Sequence, residues 1–214
     1  MLEIKNLYLN YIKEYYALYN INLTLEDKKK IALIGNLESG KTSLLRTICG
    51  LETYNKGEIY INKINLKNID FKKDVNLIYL SSTPVFFKNK TVHYNLSYPL
   101  KLRGFSEELI NKKINRALDN LGIEGLKEEK IKNLTENEKL IVNIARALLR
   151  DADIYLIDDI FKFDEITNKK IAKVLVENLN QDANIIYALN TTNKYLTDEL
   201  NISQIYSISN GSIQ

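Results

Sequence analysis

The chain has one cysteine, one histidine and two prolines in 214 residues. The single thiol, Cys49, excludes an internal disulfide, and nothing suggests secretion. No apolar run approaches the roughly 18 residues of a membrane-spanning helix. The opening stretch MLEIKNLYLN lacks the basic-then-apolar plan of a secretory leader, so a cytoplasmic chain is expected. Charge of one sign is not in excess: 30 basic and 27 acidic residues are interspersed, for a net +3. A nucleic-acid binder usually carries a basic stripe, so no nucleic acid is expected as partner. No internal repeat, low-complexity linker or proline-rich break divides the sequence.

Hydrophobic residues make up 45% and charged residues 27%, the balance of a packed fold. The length suits one large domain, or one domain with a subdomain. LEIKNLYLNY, NINLTL and GEIYINKINL alternate apolar and polar residues and read as half-buried strands. IALI, VNLIYL, DIYLID, NIIYAL and QIYSI are short continuous apolar runs, as in buried parallel strands. Between residues 85 and 150 the pattern turns helical. From Ser106, the spacing puts Leu109, Ile110, Ile114, Ala117, Leu118 and Leu121 on one helical face, with Ser106 as N-cap. From Thr135 a second amphipathic helix begins, and Thr135 with Glu138 fits a capping box. The expectation is an α/β core with a helical insertion.

One short stretch carries the chemistry. GNLESGKTS (Gly35, Asn36, Leu37, Glu38, Ser39, Gly40, Lys41, Thr42, Ser43) follows the apolar run IALI and precedes a helix that Gly50 would end. A phosphate-binding loop needs glycines so that backbone N–H groups can turn inward. It also needs a lysine for the phosphates and a hydroxyl for Mg²⁺. The following helix adds its N-terminal dipole. A chance match in a Gly-Lys turn is the plain alternative, and the strand before and helix after argue against it. An acidic partner for Mg²⁺ is expected at the end of an apolar strand, where Asp158 sits, so Thr42 and Asp158 are the candidate Mg²⁺ ligands.

With these motifs in order, the chain resembles the ATP-binding subunits of ABC transporters over nearly its whole length. Tyr11 stands where the family stacks an aromatic ring on adenine. TVHYNLSYPLKLRG is similar to the segment after the Q-loop in importer-type subunits. LTENEKLIVNIARALLRDADIYLIDD matches the signature helix and the Walker B strand. The resemblance implies an α/β P-loop NTPase of the ABC ATPase type. A RecA-like core with an antiparallel β subdomain would span about 1–84 and 151–214, and an inserted helical subdomain about 85–150. It implies ATP and Mg²⁺ as cofactors, and a head-to-tail pairing with a second ATP-binding domain whose ATP meets Thr135. It also implies transmembrane permease subunits docking near residues 81–100, at the cytoplasmic face of a membrane. PVFF, Tyr94 and Tyr98 could form that docking surface or simply fill the subdomain core. With the sequence ending at Gln214, no C-terminal regulatory domain of the sugar-importer kind is expected.

Departures from the family pattern shape the expected activity. Glu38 stands where the family usually has glycine, with its side chain expected in solvent. Ser81 takes the place of the Q-loop glutamine, Asp159 that of the catalytic glutamate, and Asn190 that of the switch histidine. A general base misplaced by ~1 Å loses roughly 10²-fold in rate. Asn190 can donate a hydrogen bond but carries no charge. The lone His93 lies elsewhere and reads as a packing or surface residue. Asp164 keeps the D-loop aspartate in a segment one residue short. The signature reads Leu134-Thr135-Glu136-Asn137-Glu138 where the family has Leu-Ser-Gly-Gly-Gln. A carboxylate ~5 Å from a phosphate charge costs roughly 3 kcal/mol at an effective dielectric of ~20. That exceeds a helix-dipole gain of about 0.3–1 kcal/mol. The same glutamates suit helix capping, so the helix gains while its anion site suffers. Because base and signature lesions share one chain, pairing with an intact partner still leaves one lesion in each composite site.

Three readings follow. The first is a transporter subunit that binds ATP·Mg and hydrolyses it weakly or not at all. The second is a divergent but active transporter ATPase, and the third a non-enzymatic interaction protein on the same fold. A DNA-repair ATPase of this family would carry a long coiled coil, for which the span from Ser106 to Leu134 is too short.

Overall fold

The computed structural model describes residues 1–13 and 15–214. They form two compact units, one of Met1–Tyr79 with Ala152–Gln214 and one of Leu80–Asp151.

The first unit holds an antiparallel sheet in the order β2-β1-β4-β5. Its strands are β1 (Leu2–Ile12), β2 (Tyr15–Leu25), β4 (Lys56–Ile61) and β5 (Ile64–Asn65). The sequence alternation shows only the second half of β2. The reason is a phase slip: Asn6 and Asn20 sit at φ 45° and 49°, and each inserts one residue between inward-facing leucines or isoleucines. Leu7 therefore pairs with Ile21, and Leu9 with Leu18, across a shifted register. Asparagine tolerates the left-handed region that such a bulge requires. GEIYINKINL turns at Asn62 and Lys63, both at positive φ, which splits the run into β4 and β5.

The second sheet has the order β10-β9-β3-β8-β7-β6. Its strands are β3 (Lys30–Ile34), β6 (Leu77–Ser81), β7 (Ile154–Asp158), β8 (Asn184–Leu189), β9 (Gln204–Ser209) and β10 (Ser212–Ile213). β3 lies between β8 and β9, parallel to both, and β7 is parallel to β8. Strands covered on both faces need no alternation, which is why IALI, IYLI and IIYAL are apolar throughout. Helix α1 (Lys41–Ile48) buries Leu44, Leu45 and Ile48 in one cluster with the inner face of the antiparallel sheet. Gly50, at φ 74°, follows the helix end. Helix α5 (Glu165–Asn178), capped by Asp164, and the short α6 (Leu196–Glu199) complete this unit.

The second unit is helical. α2 (Val92–Lys101) starts at the Thr91 cap, α3 (Glu107–Leu121) at Ser106 and α4 (Glu136–Ala147) at Thr135. α3 buries Ile110, Ile114, Ala117, Leu118 and Leu121. A fully buried Ile or Leu contributes about 1.5–3 kcal/mol. Leu109 is a correction: it is 40% exposed, because the first turn of α3 places it at the rim of the apolar stripe.

Candidate functional site

β3 ends at Ile34 in the middle of the parallel sheet, and the loop from Gly35 to Gly40 leaves its carboxyl end. Open α/β sheets bind ligands at such strand ends. The loop is anchored at both sides. Gly35 N–H donates to Leu189 O at 3.2 Å, and Gly211 N–H donates to Ser39 O at 3.0 Å. Gly40 is the N-cap of α1 at φ 104°, and a Cβ there would lie 2.7 Å from Ala17 O. No side chain caps the helix. Its first N–H groups are therefore free to face an anion.

Lys41 is 7% exposed and folds back into the loop. Its Nζ donates to Gly35 O and Asn36 O, both at 2.7 Å, and to Ser39 Oγ at 3.2 Å. Burial pushes its pKa down, while Asp159 and Asp158 pull it back up. A buried ammonium with only neutral oxygens bonded to it fits a phosphate well. Thr42 Oγ1 donates to Asp158 Oδ1 at 3.0 Å, and Tyr79 OH donates to Asp158 Oδ2 at 2.7 Å. Asp158 is buried, and desolvation raises its pKa against the two hydrogen bonds that lower it. Hydroxyl and carboxylate together make a hard-oxygen pair suited to Mg²⁺, which keeps water for its remaining ligands. Among the described residues no cluster of three His, Cys, Asp or Glu side chains offers a metal site.

Glu38 sits at φ 61° with its side chain exposed. The position calls for a left-handed backbone, which is a physical reason for glycine there. Asp159 also has positive φ, 50°; its N–H donates to Ala188 O at 3.2 Å and its carboxylate lies 3.4 Å from Lys162 Nζ. Asn190 caps the turn after β8 and accepts from Thr192 N–H at 3.4 Å. Next to it, Thr191 Oγ1 donates to Asn36 Oδ1 of the loop at 2.8 Å.

A cleft of about 600 Å³ brings much of this together. Leu37, Glu38, Ser39, Gly40, Lys41, Thr42, Ser43, Asp159 and Tyr11 all line it. Tyr11 OH donates to Ser43 Oγ at 3.2 Å. The sequence reading missed Tyr15, Tyr16, Ala17, Asn210 and Gly211 on the same wall. Tyr16 packs edge-on against Tyr8 and Tyr19, at 6.0 and 5.4 Å between centroids. Asn210 and Gly211, at φ 48° and 74°, form the tight turn between β9 and β10. An Asn-Gly pair between two strand-like runs is the signal that would have found it.

Thr135 and Ser81 belong to the second unit. Thr135 forms a complete capping box: its Oγ1 accepts from Glu138 N–H at 3.2 Å, and its N–H donates to Glu138 Oε2 at 2.8 Å. The Thr135 N–H and Oγ1, both donating to Glu138 Oε2, hold the Glu138 carboxyl below its usual pKa. Glu136 pairs with Lys139 at 2.7 Å. Ser81 Oγ accepts from Thr83 N–H at 3.1 Å, and Ser81 O accepts from Asn143 Nδ2 at 2.7 Å. Phe87, Tyr94 and Tyr98 form a partly exposed aromatic group with centroids 5.1–6.0 Å apart. His93 Nε2 meets Asn111 Oδ1 at 2.9 Å.

A family model described as ABC transporter matches residues 18–162. The chain belongs to the ABC transporter family, as an ATP-binding domain. This ABC domain is 30% identical over 196 residues to a methionine import ATP-binding protein of Clostridioides difficile, covering 86% of the chain and 59% of the relative. It is 28% identical to an oligosaccharides import ATP-binding protein of Bacillus subtilis, covering 92% of the chain and 52% of the relative. The ABC domain thus spans little more than half the length of these relatives. A solved dimeric ATP-binding cassette in a post-hydrolysis state, bound to ADP and Pi, superposes with a TM-score of 0.86 at 23% identity. It covers 100% of this chain and 97% of that one. A nucleotide-free ATP-binding cassette superposes with a TM-score of 0.77 at 20% identity. At such identities the superpositions establish the fold, which is that of the P-loop ABC ATPases. The family binds ATP with Mg²⁺. Among the described residues no helix is long and apolar enough to cross a membrane.

Proposed function

We propose that this chain is the ATP-binding subunit of a membrane transporter, and that it binds ATP·Mg in the cleft around Lys41 with impaired hydrolysis. The observation that carries the reading is the buried Lys41 ammonium inside a loop that opens onto a helix N-terminus. Lys41 and the loop N–H groups would hold the phosphates, and Thr42 with Asp158 the Mg²⁺. Tyr11 and Tyr16 offer aromatic faces to a base. Bound Mg²⁺ would supply charge neutralisation at the phosphates. Impaired hydrolysis is supported by Asp159, Asn190, Ser81 and the acidic signature of Glu136 and Glu138. The Glu138 carboxylate is committed to capping its own helix, at the end where Thr135 would meet a partner's ATP.

Transport into the cell is the favoured direction, because relatives such as the methionine and oligosaccharides proteins are import ATP-binding proteins. The second unit, with residues 80–151, plays the helical-subdomain part, and the remainder the RecA-like part. A second ATP-binding domain and membrane-spanning permease subunits complete the assembly. The permease would dock on the Phe87, Tyr94 and Tyr98 group, placing the chain at the cytoplasmic membrane face. Calorimetry tests the reading: ATP·Mg binds the wild type, and binding vanishes in Lys41→Ala. Absence of binding in the wild type refutes it and leaves an interaction protein on the same fold.

A second reading, an active ATPase, has one observation in its favour: the Asp159 carboxylate lines the same cleft as Lys41 and Thr42. Sustained turnover that Asp159→Asn abolishes would establish it.

A further inference from the structure

We propose that Lys162 is a positioning residue that restrains the Asp159 carboxylate, and that this ion pair holds turnover down at the cleft. The inference rests on the reading that ATP·Mg binds there. Lys162 Nζ lies 3.4 Å from Asp159 Oδ2, three residues back along the chain.

Both backbones are fixed, so the pair is not a chance meeting of loose side chains. Asp159 is pinned by its N–H bond to Ala188 O, in a left-handed conformation. Beyond it, Ile160 and Phe161 are buried. Phe161 O accepts from Asn193 Nδ2 at 2.7 Å. Lys162 N–H donates to Ile160 O at 3.1 Å. Phe163 N–H and O both bond to the Asn168 side chain, at 3.3 and 2.9 Å. Lys162 is the one charged side chain between Asp159 and Asp164, and this clamped segment aims it back at Asp159.

The Lys41 ammonium, which lines the cleft with Asp159, is committed elsewhere. Lys41 gives its protons to Gly35 O, Asn36 O and Ser39 Oγ. Among the described residues, Lys162 is the cation in ion-pair range of Asp159. A carboxylate that serves as general base needs an oxygen free to face the water it polarises. An ammonium 3.4 Å from Oδ2 attracts that oxygen and biases the orientation of the carboxylate. Aspartate has only two side-chain torsions with which to escape.

The full chain tests this as wild type, Lys162→Gln and Lys162→Arg. In the nucleotide-free protein, the Asp159 carboxyl carbon resonance is assigned through Asp159→Asn. It should move in Lys162→Gln and stay near the wild-type position in Lys162→Arg. With saturating ATP·Mg, kcat should rise about two- to fivefold in Lys162→Gln, the release of one partly exposed ion pair. It should stay near wild type in Lys162→Arg, and the affinity for ATP·Mg should not change in either. An unmoved resonance, or a rate that is unchanged or lower in Lys162→Gln while ATP still binds, overturns the restraint alone. A wild type that fails to bind ATP·Mg overturns the underlying reading, and the restraint with it.

Discussion

Replacing Glu38 by glycine should stabilise the protein and tighten nucleotide binding, by two mechanisms that can be separated. Glu38 is at φ 61° in a loop that lines the cleft. The left-handed conformation costs an L-residue about 1–2 kcal/mol, and glycine avoids that cost. Glycine loses about 0.5–1 kcal/mol through the greater freedom of the unfolded chain. The net gain is about 0.5–1 kcal/mol, or a Tm rise of about 1–4 °C for a chain of this size. The charge acts separately. Through a water-like dielectric, a unit charge ~10 Å from about three phosphate charges adds up to ~1 kcal/mol, and physiological salt removes more than half of it. ATP·Mg should therefore bind about twofold more tightly in ordinary buffer, and the gap should widen at low salt. Glu38→Ala is the discriminating control, since it removes the charge and keeps the Cβ at positive φ. It should reproduce the affinity gain without the thermal gain. Thermal unfolding and calorimetry at two salt concentrations measure both. A lower Tm in Glu38→Gly would refute the backbone argument. An affinity that ignores both the charge and the salt would refute the electrostatic one.

Asp158→Asn should stabilise the nucleotide-free fold at neutral pH while removing the Mg²⁺ dependence of ATP binding. Burial raises the Asp158 pKa, so its contribution to folding is most favourable in acid and declines as pH rises through the folded value. The advantage of the variant, read as ΔTm, should therefore grow from acid towards neutral pH, while wild-type Mg²⁺-dependent binding should fade on acidification above the ordinary carboxylate range. Thr135→Ala, which breaks the capping box, should cost about 0.5–2 kcal/mol in chemical denaturation. Gly211→Ala should cost more than about 2 kcal/mol, from the left-handed conformation plus a Cβ placed 2.6 Å from Ala17 O. It should also weaken ATP binding, because Gly211 N–H holds the Ser39 carbonyl.

The parallel strands and the phosphate loop were legible because they are local. Four or five apolar residues followed by glycine, and a helix opening at Lys41, need no long-range information. The capping boundaries at Ser106 and Thr135 were legible for the same reason. What escaped depended on partners distant in sequence, or on backbone angles. The first half of β2 escaped because the Asn20 bulge reverses the alternation at mid-strand. Tyr15 and Tyr16 went unnoticed, since only the pairing of β1 with β2 carries them to the cleft beside Lys41. Glu38 could be recognised as unusual, but its positive φ, the physical reason for glycine, is a property of the folded loop.

The position of β3 between β8 and β9 has a consequence for how the protein is made. The phosphate loop lies around residue 40, yet the strands that flank its root are residues 184–189 and 204–209, and the turn that braces it is at 210–211. A nascent chain must carry β3 with both edges unpaired until β8 and β9 have been made. Such long sequence separations slow folding and leave apolar edges exposed to aggregation. A product terminated before β8 would contain every residue from Gly35 to Ser43 and still lack the strands and the turn that shape the loop.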